Sequence, residues 1–279
     1  MTLRDFACLG RFEVLYPDLK ENRSLIQTTT HHSAIYNLRQ ALSGLLLVLS
    51  SLMMALWLAW QILIPLDFGY SLGYQWLNIE QHIQIYGPQN QFKRGFADTD
   101  PQEHQRLFRA ILQSINQKGT GLKDIVYHTH SGRQDTLLRQ PEIIHLQDVV
   151  RLLTQFGWVS FAGALYLLSI SAVHIRNCRP LPGPHHIGCG ILALLTTATL
   201  VILIMGAKAV FYWLHIQIFP DDHQWFFFYQ ESLMTTLMKA PDLFGFFAAL
   251  WGLVALPILG VILFTQYRLV TTLQRRICR

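Results

Sequence analysis

His145 and His215 are the side chains in this sequence best placed to do chemistry. Each stands at the end of a hydrophobic stretch: His145 just before one that starts near Val149, His215 just after one that ends near Trp213. Imidazole gains and loses a proton near neutral pH, so two of them at a lipid–water boundary point to proton-transfer chemistry on a lipid. Glu142, His145 and Asp148 are spaced by three, which on a helix brings the imidazole next to carboxylates one turn away. A carboxylate beside one ring nitrogen fixes the tautomer and makes the other nitrogen a better base, the arrangement used by general bases in acyl transfer. His215 would supply the second proton-transfer group or donate to a developing oxyanion. Lys208, seven residues before His215, falls on the same helical face; it either pairs with a carboxylate or snorkels to the surface.

The elements that hold these residues are membrane helices. Of the 279 residues, 51% are apolar and 14% charged, which sets the chain apart from ordinary soluble domains. Four stretches reach the ~20 residues that cross a hydrocarbon core: 41–64, 149–173, 187–213 and 243–267. Pro257, inside the fourth, is tolerated there with a kink. The positive-inside rule orients them. Arg176 and Arg179 lie in the loop 174–186, and Arg268, Arg275, Arg276 and Arg279 in the tail 268–279, with no acid in either. The segment 214–242 has Asp221, Asp222, Glu231 and Asp242 against Lys239 alone. Both termini, including the tail 1–40, are therefore expected in the cytoplasm, with 65–148 and 214–242 outside. The long segment 65–148 has eight basic and nine acidic residues and gives no vote. The net charge of +5 reflects this topology, and no basic patch argues for nucleic acid.

Cys8, Cys178, Cys189 and Cys278 all fall on or near the expected cytoplasmic side. No outer disulfide and no thiol nucleophile near the histidines is expected. The first forty residues are too long and too mixed in charge for the n-region of a secretory signal, so the first span reads as an uncleaved anchor.

Between the first and second spans the pattern predicts a small α+β subdomain. Asp100 and Pro101 open a helix carrying Leu107, Phe108, Ile111, Leu112 and Ile115 on one face, which Gly119 and Gly121 end. Residues 122–128 alternate as a strand, Ser131 and Gly132 make a turn, and Pro141 with Glu142 restarts a helix running into the second span. Between Phe211 and Tyr229 stand nine aromatic residues, more than an ordinary aromatic belt requires. After them Leu233, Met234, Leu237 and Met238 form an apolar stripe opposite Glu231, Thr235, Thr236 and Lys239, the pattern of an amphipathic helix in the headgroup layer.

Taken together, Glu142, His145, Asp148 and Val149 before a span, then Phe211, His215, Phe219, Pro220, Trp225, Phe227, Ser232, Leu233 and Pro241, resemble the bacterial lipoprotein intramolecular transacylase (Lit) family. The resemblance covers about residues 40–265 and leaves the N-terminal tail unmatched. It implies an all-α membrane protein of four transmembrane helices, with an outward-facing subdomain between helices 1 and 2 and an aromatic interfacial loop and helix between helices 3 and 4. It implies a multi-pass protein of the bacterial plasma membrane whose site faces the extracytoplasmic side. It also implies an acyltransferase that moves the sn-2 acyl chain of a diacylglyceryl lipoprotein to the amine of its N-terminal cysteine. The family's two functional histidines match His145 and His215, with Glu142, Asp148, Lys208, Asp222, Trp225 and Ser232 in support. The partners are the lipoprotein and membrane lipid. The nucleophile is the substrate's amine, so no serine or cysteine nucleophile, metal or organic cofactor is required. Which histidine is the base stays open, and an acyl-histidine step is conceivable. The acidic run Asp221–Asp222 departs from what a lipid-holding loop needs.

Rival readings come from other classes. Two histidines on separate membrane helices ligate a b-type haem in some proteins, usually from deeper in the bundle. His128 and His130, with His104, His223 or Asp222, would form a zinc site if brought together. A non-catalytic assembly or scaffold protein would tolerate loss of both histidines. A transporter lacks the expected inverted repeat or broken helix pair.

Overall fold

The computed structural model describes the backbone of residues 17–278, and the side chains from residue 37 on apart from that of residue 207. Residues 1–16 of the N-terminal tail, Cys8 among them, lie outside the described residues. Four helices are long and apolar enough to cross a membrane. They belong to α1 (Pro17–Leu63), α5 (Gln140–Arg176), α6 (Pro184–Met205) and α9 (Asp242–Ile277). Leu168, Leu203, Leu253, Leu256 and Phe264 are exposed on them, as lipid-facing side chains must be. The chain is thus a multi-pass, essentially all-α membrane protein.

Two compact units divide the chain: Met1–Val48 with Pro182–Leu194, and Leu49–Leu181 with Leu195–Arg279. In the first, a Cβ on Gly44 would come within 3.2 Å of the His186 Cβ, so glycine allows the close approach. The second holds the core and every residue discussed below.

Between α1 and α5 lies the small α+β subdomain. α2 (Tyr70–Trp76) and α3 (Ile79–Tyr86) lead to α4 (Pro101–Asn116). The α4 start is as expected: the Asp100 side chain accepts from the Glu103 amide at 2.7 Å, and Pro101 follows it. Leu107, Phe108, Ile111 and Leu112 are buried along one face, and Phe108 stacks on Tyr70 at 4.2 Å between ring centroids. His104, fully buried on the same helix, lies between the Tyr74 hydroxyl (2.8 Å from Nδ1) and Thr99 Oγ1 (2.7 Å from Nε2). Thr99 donates to the Phe96 carbonyl, so it accepts from Nε2–H, and Nδ1 accepts from Tyr74. Burial pushes the His104 imidazole down to about 4, against the pull of Asp100 and Glu103.

The hairpin is shorter than the alternation suggested. β1 (Val126–His128) pairs antiparallel with β2 (Gln134–Thr136), and residues 122–124 turn as a 3-10 helix after Gly121, whose φ is +84°. Gly132, at φ +82°, makes the turn. Tyr127 is fully buried and its hydroxyl donates to the Arg94 carbonyl.

Two further features depart from the sequence pattern. The expected third span, 187–213, is broken: α6 ends at Met205 and α7 (Ala207–Ile218) begins after Gly206 at φ +81°, ψ 143°. A residue with a Cβ rarely adopts that conformation, so the glycine sets the break. α8 (Leu233–Met238) forms as expected, but the polar face drawn on the solvated side is covered too; all six residues are buried. Thr235 and Thr236 bond to Ser232 and to the Tyr229 carbonyl, so both threonine hydroxyls are satisfied away from water. Tyr70 donates to the Leu237 carbonyl and Lys239 to that of Leu77, tying α8 into the core.

α9 runs helically through Pro257 and packs along α5, where Gln266 Nε2 donates to the Leu167 carbonyl and Gln274 Nε2 to that of His174. A disulfide between Cys178 and Cys278 joins the C-terminal ends of the two helices.

Candidate active site

The first turns of α5 carry three of the residues picked out in the sequence, because Pro141 and Glu142 start that helix well before its apolar part. At about 1.5 Å per residue a helix of this length is about 55 Å long, far more than the ~30 Å hydrocarbon core. Glu142 is fully buried and reaches back to the Arg139 amide at 2.6 Å. Its other oxygen accepts from the Ser232 hydroxyl. Ser232 in turn caps α8 by accepting from the Thr235 amide at 3.0 Å. One buried carboxylate and one serine therefore lock the start of α5 to the start of α8. These are positioning contacts, and neither side chain bonds to His145.

His145 lies one turn further along. Its ring packs 4.7 Å from Phe219 and 5.9 Å from Phe227 between centroids. Nδ1 is buried with no hydrogen-bond partner. An unmet buried N–H is rarer and costlier than an unmet acceptor, so Nδ1 carries the lone pair and Nε2 the proton. The neutral ring therefore presents Nε2–H as its free donor.

His215 is carried by α7 rather than by the end of a continuous span. Its Nδ1–H donates to the Phe211 carbonyl at 2.7 Å, which leaves the lone pair on Nε2. The ring stacks near Phe219 at 5.4 Å, Trp225 at 4.9 Å and Phe211 at 3.9 Å. Phe219 thus touches both imidazoles, and the two are near enough to feel each other's charge. A spacing rule does not bring 145 and 215 together; the aromatic loop after α7 does. Trp225 takes part as a wall on His215.

The carboxylate expected beside His145 is engaged elsewhere. Asp148, nearly buried, accepts from Arg151 Nη1 at 2.9 Å and from His223 Nδ1 at 2.6 Å. His223 comes from the loop that follows α7, and its bond to Asp148 spans 75 positions of sequence. From the sequence this loop stood out for its aromatic residues and its acidic run, with Asp222 taken as a supporting residue and His223 only as a candidate zinc ligand. Asp222 is exposed and makes no side-chain hydrogen bond among the described residues, whereas His223 beside it turns inward. Lys208 is exposed, with Nζ 5.8 Å from the Tyr212 ring centroid, and forms no ion pair among the described residues.

The residues of the zinc alternative are dispersed. His104 is enclosed by Tyr74 and Thr99, His223 is held by Asp148, and His128 Nδ1 faces Glu103 at 3.3 Å. Among the described residues no three metal-binding side chains are gathered in one place.

No protein-family model and no curated protein matches this chain. Solved structures do. The chain is similar to the membrane-integral lipoprotein intramolecular transacylase Lit from Bacillus cereus carrying a histidine-to-arginine mutation, with 16% identity, 90% of this chain and 100% of that chain covered, and a TM-score of 0.57. A histidine-to-alanine form of the same protein gives 18% identity, 88% and 98% coverage and a TM-score of 0.55. A further structure of Lit gives 18% identity, 86% and 99% coverage and the same TM-score of 0.55. At these identities the likeness is one of architecture: the chain has the fold of the membrane-integral lipoprotein intramolecular transacylase Lit.

Proposed function

We propose that this chain is a membrane acyltransferase that moves the sn-2 acyl chain of a diacylglyceryl lipoprotein to the amine of that lipoprotein's N-terminal cysteine. The observation that carries the reading is the pair of imidazoles in contact with Phe219, His215 with Nδ1 held by the Phe211 carbonyl and His145 with its buried Nδ1 unbonded, which argues for a lone pair on one free nitrogen and an N–H on the other. Aminolysis of an ester needs that combination. The amine nitrogen attacks the ester carbonyl carbon, a C–N bond forms, and a proton must leave nitrogen. The C–O bond to glycerol then breaks and the glyceryl oxygen must gain a proton.

His215 Nε2 takes the proton from nitrogen and returns it to the departing oxygen. His145 Nε2–H donates to the carbonyl oxygen as it becomes an oxyanion. Both reacting groups belong to one substrate molecule, so holding them together supplies much of the acceleration. Phe219, Trp225 and Phe227 form an apolar wall around the imidazoles that suits acyl chains. Lit-like architecture supports the same reading. Arginines at 176, 179, 268, 275 and 276 support a topology with both termini in the cytoplasm of a bacterium and the site at the outer face of its plasma membrane.

The test is mass spectrometry of the N-terminal lipopeptide of a model diacyl lipoprotein, made with wild type, His145→Ala or His215→Ala. Transfer leaves the total mass unchanged and moves one acyl chain onto the cysteine nitrogen. Loss of His215 should slow it about 10²–10⁴-fold and loss of His145 about 10²–10³-fold. Unaltered diacyl peptide beside folded wild-type protein sinks the reading and favours a non-catalytic role.

A further inference from the structure

His223 has no task in the scheme above, yet it has a contact that orients catalytic histidines in other acyl-transfer enzymes, a carboxylate on Nδ1. The bond to Asp148 Oδ2 is 2.6 Å long, and Asp148 keeps 6% of its side chain exposed against 25% for His223. Asp148 lies three residues beyond His145 on α5, so His223 docks one helical turn from the site. Its loop is held in place on either side: Phe219 and Phe227 rest on His145, and Trp225 rests on His215. With Nδ1–H committed to the carboxylate, the lone pair is on Nε2.

Resting on the transacylase reading, we propose that His223, oriented by Asp148, removes the proton that the substrate's N-terminal ammonium must lose before it can attack. An α-amine titrates at about 7.7–8.0, so at neutral pH it arrives largely as the ammonium, which has no lone pair. Nε2 of His223 takes one proton and frees the amine. The amine then attacks the ester carbonyl, and its second proton passes by way of His215 to the glyceryl oxygen as the C–O bond breaks. The sum is ammonium plus ester giving amide, alcohol and one proton. His215 ends as it began, and His223 holds the extra proton, which its partly exposed ring hands to water. The charged groups around it are Asp148 and Arg151 from α5, with Asp221 and Asp222 on its own loop; His145 stands one turn before Asp148 on α5. Arg151 Nη1 bonds to the other Asp148 oxygen at 2.9 Å.

The experiment uses the full chain in nanodiscs with a synthetic diacylglyceryl lipopeptide, and initial rates at pH 7 and pH 9. Wild type should transfer at rates within about twofold of each other, because its base accepts the ammonium proton at both. His223→Ala should be about tenfold slower at pH 7, where only about a tenth of the amine is already free. That defect should shrink about tenfold by pH 9, where the amine is already free. Asp148→Asn keeps the imidazole and should show the same narrowing, which covers a failure of His223→Ala to fold. A defect of equal size at both pH values, or none, overturns the proposal and leaves His223 a structural contact. A wild type that transfers at neither pH overturns the transacylase reading and this proposal with it.

Discussion

Acid should loosen the inter-span subdomain through His104, by an amount that follows from its surroundings. The imidazole is fully buried and held at about 4, below its ordinary 6.5, chiefly by burial. The folded state therefore binds fewer protons than the unfolded state between those values. The stability this represents is fully present above pH 6.5 and is lost as pH falls toward 4. The depression is worth about 3 kcal/mol when titration is complete, and about 2 kcal/mol of it is gone at pH 5. His104→Gln removes the titration while leaving a polar side chain between Tyr74 and Thr99. The assay is hydrogen exchange of the α4 amides in nanodiscs, corrected for intrinsic rates, at pH 7.5 and pH 5. Wild type should lose about 2 kcal/mol more of its opening free energy than the variant across that range. His82, also buried and pushed down to about 4 by burial and by Lys239, titrates in both proteins and drops out of the comparison. Equal losses in the two proteins would show that the Tyr74–His104–Thr99 chain tolerates the charged ring, and the argument from burial would fail.

Two other substitutions probe the frame around the site. Ser232→Ala removes both the α8 cap and a donor to the buried Glu142 carboxylate, and should cost about 2–4 kcal/mol in thermal unfolding. A smaller effect than a lost cap alone would mean that Glu142 finds another donor. Gly73→Ala would set a methyl 2.7 Å from Leu243 Cδ1 and 3.1 Å from the Phe246 ring. Leu243 is fully buried and has little room to move, so the change should destabilise by about 1–3 kcal/mol, read as a lowered midpoint of unfolding in detergent. An unchanged midpoint would show that the α2–α9 contact is slack.

Much of this molecule was legible in one dimension, where a residue's meaning depends on its near neighbours. Four apolar stretches read as four membrane helices because burying a backbone in lipid demands continuous helix over about twenty residues. Asp100 with Pro101 marked the start of α4, and Pro141 with Glu142 marked the start of α5, because capping is local. The break at Gly206 was hidden: glycine is common in membrane helices, and only the surrounding packing decides whether its freedom is used.

The pairing of distant groups belongs to the tertiary structure. Spacing put Asp148 within a turn of His145 and invited the inference that the two bond, yet the carboxylate bonds to His223, 75 positions away. Periodicity gave α8 a solvated face, and the fold covered that face because Thr235 and Thr236 find partners within a few residues. Side-chain types and intervals alone determined which residues were capable of proton transfer at a membrane surface. Which nitrogen of His223 is left free was decided only when the chain closed, because its tautomer is set by Asp148, 75 positions away, whereas His215 takes its partner from four residues back on its own helix.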